Sequence, residues 1–411
     1  MRNQKKHTSF HIGLFTAAFL MLMAPPEACS QYTVTVTAGG FDRMESVVSF
    51  TLPEPVDPGV YTMEDEAGNQ ALLQVDEQNK GWFVLEELPA GSSKSYSLDA
   101  ESFSSTADDS GVTYAVDENT ITFKAGEDPV LSYYHGKNNP PRELDKQYER
   151  GGYLHPVYSP GGTVLTNHLD TAMHPHHYGI WSAWTNTEFQ GRTPDFWNIQ
   201  DKTARVDQDS MELAWEGPVH GGLKANHYFT DLTSSAPVIA LNEQWEMKVY
   251  DAASRSDYLM FDLTLSHTAN TAQPLLLPEY HYGGMGFRGH RNWDNPDNVT
   301  FLTSRGHDRS AANETRARWA HMGGMVDGKR AGIAVLSHPD NYRAPQPVRI
   351  HPETPYFVFA PMQLGEMAIE PGAPYVMHYR YITFDGEPDP EKLNRLWNDY
   401  AYPPGVTVAT E

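Results

Sequence analysis

Val238-Ile-Ala-Leu-Asn-Glu-Gln-Trp-Glu-Met-Lys-Val249 is the stretch on which the fold turns. From Gln244 to Val249 polar and apolar residues alternate strictly. That is the two-residue period of a half-buried strand, not the period of a helix. Similar runs recur on both sides of it, at 130–134, 204–206, 211–215, 223–230, 257–266, 332–336, 355–359 and 375–384. Toward the N-terminus, Tyr32-Thr-Val-Thr-Val-Thr37 alternates in the same way, and short strand-like runs follow between clusters of Pro, Gly, Asp and Ser. Helical periodicity is nearly absent. The best helix is short, Pro390–Tyr400, with Asp389 as N-cap and Pro at its first position. The chain therefore reads as all-β: a small N-terminal Ig-like sandwich over residues 31–125, then a large antiparallel β-sandwich over residues 126–405.

Composition bounds the partners. Of 411 residues, 30 are basic and 53 acidic, a formal net charge of −23. That balance argues against general nucleic-acid binding while leaving room for a local basic pocket. The single cysteine excludes an intrachain disulfide or a Cys-rich metal site. It lies in an export signal expected over residues 1–30: Arg2, Lys5 and Lys6, an apolar run from Ile12 to Ala24, then Pro25-Pro-Glu-Ala-Cys29-Ser-Gln31. Cleavage before Gln31 gives a soluble periplasmic or extracellular protein. Lipidation of Cys29 would instead give an anchored lipoprotein. No later segment is apolar enough for a spanning helix.

Chemistry-bearing residues crowd beyond residue 130, where all but two of the 18 histidines lie. The densest stretch holds Tyr153-Leu-His155-Pro-Val-Tyr-Ser-Pro-Gly-Gly, Asn167-His-Leu-Asp170, His174-Pro-His176-His177-Tyr-Gly-Ile-Trp181 and Asp195-Phe-Trp197-Asn198. Imidazoles serve as acids, bases or metal ligands near neutral pH, so His176 and His177 are the acid/base candidates, with Tyr153 or Tyr280 as second proton carrier. A second cluster, Glu279-Tyr280-His281-Tyr-Gly-Gly-Met-Gly-Phe-Arg288, adds Glu279 as a carboxylate acid/base. A third, His338-Pro-Asp-Asn341-Tyr-Arg343, follows a strand end and reads as a pocket rim. Arg142, Arg288 and Arg343 are carboxylate clamps in this reading, and His155, Trp181, Trp197, His281, His338 and Asn341 line the substrate. A GxSxG elbow, an HExxH pair and a P-loop are all absent.

The Tyr153–Gly162 string, the His174–Trp181 string, Asp195-Phe-Trp197, the His338–Asn341 loop and Tyr379-Arg-Tyr381 together resemble the PmoA-like family of secreted bacterial proteins, a domain of unknown function, over residues 130–400. The methane-oxygenase label has little weight, since that chemistry belongs to an integral membrane enzyme. What the resemblance implies is a place in polysaccharide-degradation loci and a sandwich similar to those of galactose mutarotases and polysaccharide lyases.

The expectation is a carbohydrate lyase or dehydratase acting on an acidic, uronate-containing oligosaccharide. Arg neutralises the carboxylate and acidifies the neighbouring C–H, and His or Tyr takes the proton. A glycoside hydrolase needs two placed carboxylates and ranks lower. The same residues would also suit an aldose-epimerase-like enzyme, a metal enzyme on His174, His176, His281 and Glu279, or a non-catalytic glycan-binding protein. The leading reading requires no cofactor.

Overall fold

The alternating run around Gln244 lies inside a strand, Val238–Tyr250, whose inward positions Leu241, Trp245, Met247 and Val249 are fully buried. The computed structural model describes residues 31–103, 111–252 and 257–410; the expected export signal, with Cys29, lies outside the described residues. Among the described residues no helix is long and apolar enough to cross a membrane. The architecture is all-β, with a small N-terminal sandwich-like unit and a large antiparallel sandwich.

The large sandwich packs a nine-stranded sheet on an eight-stranded one. The inner face of the first contributes Leu154, Ile180, Phe287 and Phe357, and the second contributes Leu223, Phe229, Trp245, Leu263 and Tyr381. The runs expected at 204–206 and 211–215 form one strand, Ala204–Trp215. Register shifts near Ser210 and Leu213 break its alternation, so the sequence reads as two pieces. The helix forms as expected over Pro390–Ala401, where Asp389 accepts hydrogen bonds from the backbone N–H of Glu391 (2.9 Å) and Lys392 (3.1 Å).

The domain boundary differs from the sequence reading. The hairpin Val112–Val116 and Thr120–Ala125 pairs with Asp128–Tyr134 inside the nine-stranded sheet and does not belong to the N-terminal unit. That unit instead recruits Gly405–Thr410, which runs antiparallel to Gln31–Thr37. Its seven strands form one sheet around its own core of Val34, Phe50, Met63, Phe83 and Leu98. Two polar contacts dock it on the sandwich. Arg43 pairs with Asp399 of the helix at 2.8 Å, both buried. Gln74 accepts from the N–H groups of Val219 and His220 and donates to the His220 carbonyl at 3.0 Å.

A polar row crosses the middle of the sandwich. His227, Glu243 and His267 are register neighbours on three consecutive strands, all pointing inward. His227 Nδ1 and His267 Nε2 each lie 2.6 Å from one Glu243 oxygen. His227 Nε2 then receives the Tyr133 hydroxyl (2.8 Å), and His267 Nδ1 receives the Trp184 indole N–H (3.2 Å). The Trp184 donor makes His267 Nδ1 an acceptor, so that ring donates to Glu243 through Nε2. Burial raises the Glu243 pKa, but the two donated hydrogen bonds and the histidine charges outweigh it, so the net shift is downward. Tyr133 and Trp184 belong to the opposite sheet, so the row ties the two layers together. Gly152, at φ +71°, sits where a Cβ would come 2.8 Å from the His227 ring, so only glycine admits this close approach.

Replacing Glu243 with Ala leaves two buried imidazole N–H groups unpaired and is expected to cost about 3 kcal/mol or more, read by urea unfolding. Glu243→Gln, which keeps the shape and one acceptor, is expected to cost less.

Candidate active site

The outer face of the nine-stranded sheet carries the chemistry. Tyr153 pairs in register with Trp181, Trp181 with Gly286, and Gly286 with Val358; one step along, Arg288 pairs with Tyr356. Tyr153, Trp181, Tyr356 and Val358 share a cluster with Trp197 that is separate from the inner core. Gly286 belongs here for a steric reason: a Cβ on it would meet Trp181 and Trp197 at 2.8–2.9 Å. Trp197 is itself held by the Asp195 motif. Asp195 accepts from the backbone N–H of Trp197 (2.9 Å) and Asn198 (2.8 Å), and Asn198 Nδ2 reaches the Tyr282 hydroxyl at 3.0 Å.

Loop 166–178 lays its histidines over this row. His177 is fully buried between His174 (ring centroids 4.8 Å) and Trp181 (4.8 Å). His176 packs edge-on against both neighbouring histidines. His351 and Tyr356 close the group, His351 at 5.7 Å from His174 and Tyr356 at 4.8 Å from His177. Burial, reinforced by neighbouring cations, holds all four imidazoles below their ordinary range, His176 at about 3 and His351 at about 4. They are neutral at pH 7. The expected acid/base role of His176 and His177 meets a geometric obstacle: both are enclosed by rings, and they shape the wall.

The solvent-facing pair is different. His168 lines a cleft of about 670 Å³ together with Tyr134, Lys137, Asn138, Asn167 and Arg291. Its Nδ1 lies 3.1 Å from the Tyr153 hydroxyl, which also accepts from Asn138 Nδ2 at 3.1 Å. His155 stacks on His168 at 3.9 Å and hydrogen-bonds Thr166. Burial moves His168 to about 4 and pushes the Tyr153 hydroxyl well up. Tyr153 and His155 thus lie beside His168, behind the cleft lining. Sequence reasoning misses His168, which stands out only as part of its motif, and it misses Asn138, Lys137 and Arg291 altogether. Their one signal is proximity to Tyr153, which the sequence does not show.

The second cluster reaches the same face through rings. Trp197 contacts Tyr282 (5.2 Å), and Tyr282 contacts Tyr280 (5.2 Å) and His281 (4.8 Å). Glu279, Tyr280 and His281 line a smaller cleft of about 450 Å³, with Glu279 exposed at its rim. Arg288 is fully buried, its Nη2 paired with Asp294 (2.6 Å) and Asp170 (3.4 Å), so it is no freely mobile clamp.

The third cluster belongs elsewhere. Asn341 binds the backbone of His378 and the Ser337 hydroxyl. His338 packs on Tyr400 and His378, beside the C-terminal helix. Arg343 donates to the carbonyls of Pro361, Gly365 and Glu366. Asn341 and Arg343 fasten loops, because they bind backbone groups whose hydrogen bonds would otherwise go unmet. Arg142 is exposed beside Pro141 on the larger cleft's margin. Among the described residues no group of three or more His, Cys, Asp or Glu is placed to hold a metal ion, so the ligand set His174, His176, His281 and Glu279 does not assemble.

Gly286→Ala is expected to displace both indoles, visible as a changed near-ultraviolet circular dichroism spectrum with the far-ultraviolet spectrum retained. A second expectation follows from the depressed imidazoles. Below the ordinary value of about 6.5, the unfolded chain takes up protons that buried His176, His177, His220 and His321 refuse. Stability is therefore complete above that pH and falls as acid is added, by about 1.4 kcal/mol per pH unit for each such histidine. Calorimetry at pH 7 and pH 5 should show a lower Tm at pH 5.

Comparison with known proteins places the chain in a family. A model described as a family of unknown function (DUF6807) matches residues 120–398. No curated protein matches the chain. Among solved structures, the chain is similar to the heparan sulfate lyase HepC from Pedobacter heparinus, at 11% identity and a TM-score of 0.29. The alignment covers 71% of this chain and 38% of that one, so the chain matches well under half of the lyase's length, and nothing about function is drawn from it. The resemblance carried by the motifs is met at the level of the family, whose description does not bear the PmoA-like name. The matched segment opens within the Thr120–Ala125 strand and ends in the C-terminal helix, taking in almost all of the large sandwich, and the chain belongs to this family of unknown function.

Proposed function

We propose that this chain is an exported carbohydrate-active enzyme, a lyase or dehydratase for acidic oligosaccharides, working through His168 and Tyr153. The observation that carries the reading is the 3.1 Å hydrogen bond between the buried Tyr153 hydroxyl and His168, which lines a cleft with Lys137 and Arg291. When the shared proton sits on His168 Nδ1, Nε2 offers a lone pair to the cleft. When Tyr153 donates, Nε2 carries the proton. In the Nδ1–H tautomer Nε2 is a base, and the proton it takes makes the ring an imidazolium whose charge the substrate carboxylate offsets.

A uronate carboxylate held by Arg291 and Lys137 would acidify the C–H beside it. His168 Nε2 takes that proton. The electron pair forms a carbon–carbon double bond and expels the oxygen on the next carbon, which receives the proton back from the His168 imidazolium and leaves as water or as a sugar alcohol. A hydrolase fits less well. The two carboxylates on the cleft, Asp117 and Glu118, are adjacent in one turn and cannot flank a scissile bond.

The test is incubation with saturated and unsaturated uronate oligosaccharides, followed by mass spectrometry. Loss of one water, or cleavage leaving an unsaturated end, supports the reading. Ligand that binds and stays unchanged overturns it in favour of a glycan-binding protein. Tyr153→Phe and His168→Gln are each expected to lower kcat by about 10²–10⁴ with Tm little changed. Arg291→Ala is expected to act mainly on KM.

A further inference from the structure

Beyond the Tyr153–His168 cleft, the same face carries a second cationic position. Arg349 and His351 lie two residues apart at the end of the strand Pro347–Ile350, so their side chains project to one side. Arg349 pairs in register with Val358, and the His351 N–H bonds the Tyr356 carbonyl, which places both beside the aromatic row.

Three features set this position apart. Arg349 has no carboxylate within ion-pair distance among the described residues. Its Nη1 donates to the Asn313 side chain at 3.2 Å, while its Nε is buried without a partner. Close by, the fully buried Arg288 leaves Nε and Nη1 likewise without partners. Finally, His351 has a fixed tautomer: Nδ1 accepts from the backbone N–H of Thr354 (2.8 Å) and Glu353 (3.1 Å), so its proton is on Nε2, a donor.

Burial first, then Arg349, His174, Arg309 and Arg288, keep that ring neutral, which shows that guanidinium charge is concentrated around it. The carboxylates nearby are otherwise occupied or peripheral. Asp170 and Asp294 pair with Arg288, Glu314 contacts Asn313, and Glu279 and Glu353 are exposed. A cleft lined by Glu279, Tyr280, His281, Glu314 and Pro347 lies next to this position, and its His281 feels both Arg349 and Glu314.

The geometry points to an oxyanion subsite formed by the Arg349 guanidinium and the His351 Nε2–H, which takes the carboxylate or sulfate group of a second sugar unit. The inference deepens the proposed function: with Lys137 and Arg291 at the cleft and Arg349 at a second position on the same face, the ligand is an oligosaccharide bearing acid groups on more than one unit. It rests on that reading only for the identity of the ligand.

Calorimetric titration of the full chain with glucuronate, inorganic sulfate and glucose at matched ionic strength tests it without turnover. Wild type is expected to bind at least one of the two anions and not glucose, with glucuronate or sulfate identifying the group. Arg349→Met should weaken the anion about tenfold or more, the worth of one charged hydrogen-bonded contact. Should that variant not fold, Arg349→Lys, which keeps the charge and loses the fork, should weaken it about threefold. Unchanged affinity in the folded variant, equal uptake of glucose, or no anion binding by wild type overturns the subsite. An inactive enzyme that still takes an anion through Arg349 leaves the subsite standing and removes only the catalytic reading.

Discussion

One ionised carboxylate in the centre of the sandwich constrains the rest. Glu243 sits far from water, and its charge is tolerable only because two imidazoles donate to it at 2.6 Å. Their other ring nitrogens are bonded in turn, His227 to the Tyr133 hydroxyl of the opposite sheet and His267 to the Trp184 indole just beyond a strand of that sheet. Apolar packing alone would let two such sheets slide. The chain of hydrogen bonds admits a single lateral position. That position sets Tyr134 and Tyr153 on one margin of the outer face and the loop after Trp184 on the other.

The outer face uses burial in the opposite sense. Its histidines stand among rings and guanidinium groups, and burial outweighs the pull of Asp170 and Asp294 on His174, so they stay neutral. A neutral imidazole wall with one hydrogen-bonded Tyr–His pair at its edge differs from the twin-carboxylate arrangement of glycoside hydrolysis. It suits chemistry in which a proton is taken from carbon and returned to oxygen, with the substrate supplying the negative charge.

Much of this is legible in the sequence, and particular residues show why the remainder is not. Alternation at Gln244–Val249 fixes the strand and its inward phase, and the Asp389-Pro390 pair fixes the helix start. The same phase, carried back two residues, points Glu243 inward; His227 follows Ala225 and His267 follows Leu265 in the same way. Each alone reads as a single polar residue in or beside a strand. Only register, which pairs strands distant in sequence, puts the three in a row. The histidine-rich loop stands out in the sequence and is central in the structure, but its burial depends on Trp197 and Tyr356 arriving from elsewhere. Asn341 and Arg343 mislead because a polar strand-end loop looks alike whether it meets a ligand or a carbonyl. Arg349 escapes notice, being a single charge in a short strand.

The pairing of Gln31–Thr37 with Gly405–Thr410 has a consequence for biosynthesis. The strand Gln31–Thr37 is made well before its outer neighbour, which follows the whole large sandwich in sequence. At about 5–20 residues per second that partner arrives on the order of half a minute later. Until then Gln31–Thr37 presents a bare edge of unpaired N–H and C=O groups, the kind of edge that recruits other chains. Closure of the N-terminal unit is thereby tied to synthesis of the sandwich, and a ribosome that stalls before Gly405–Thr410 releases a sticky product.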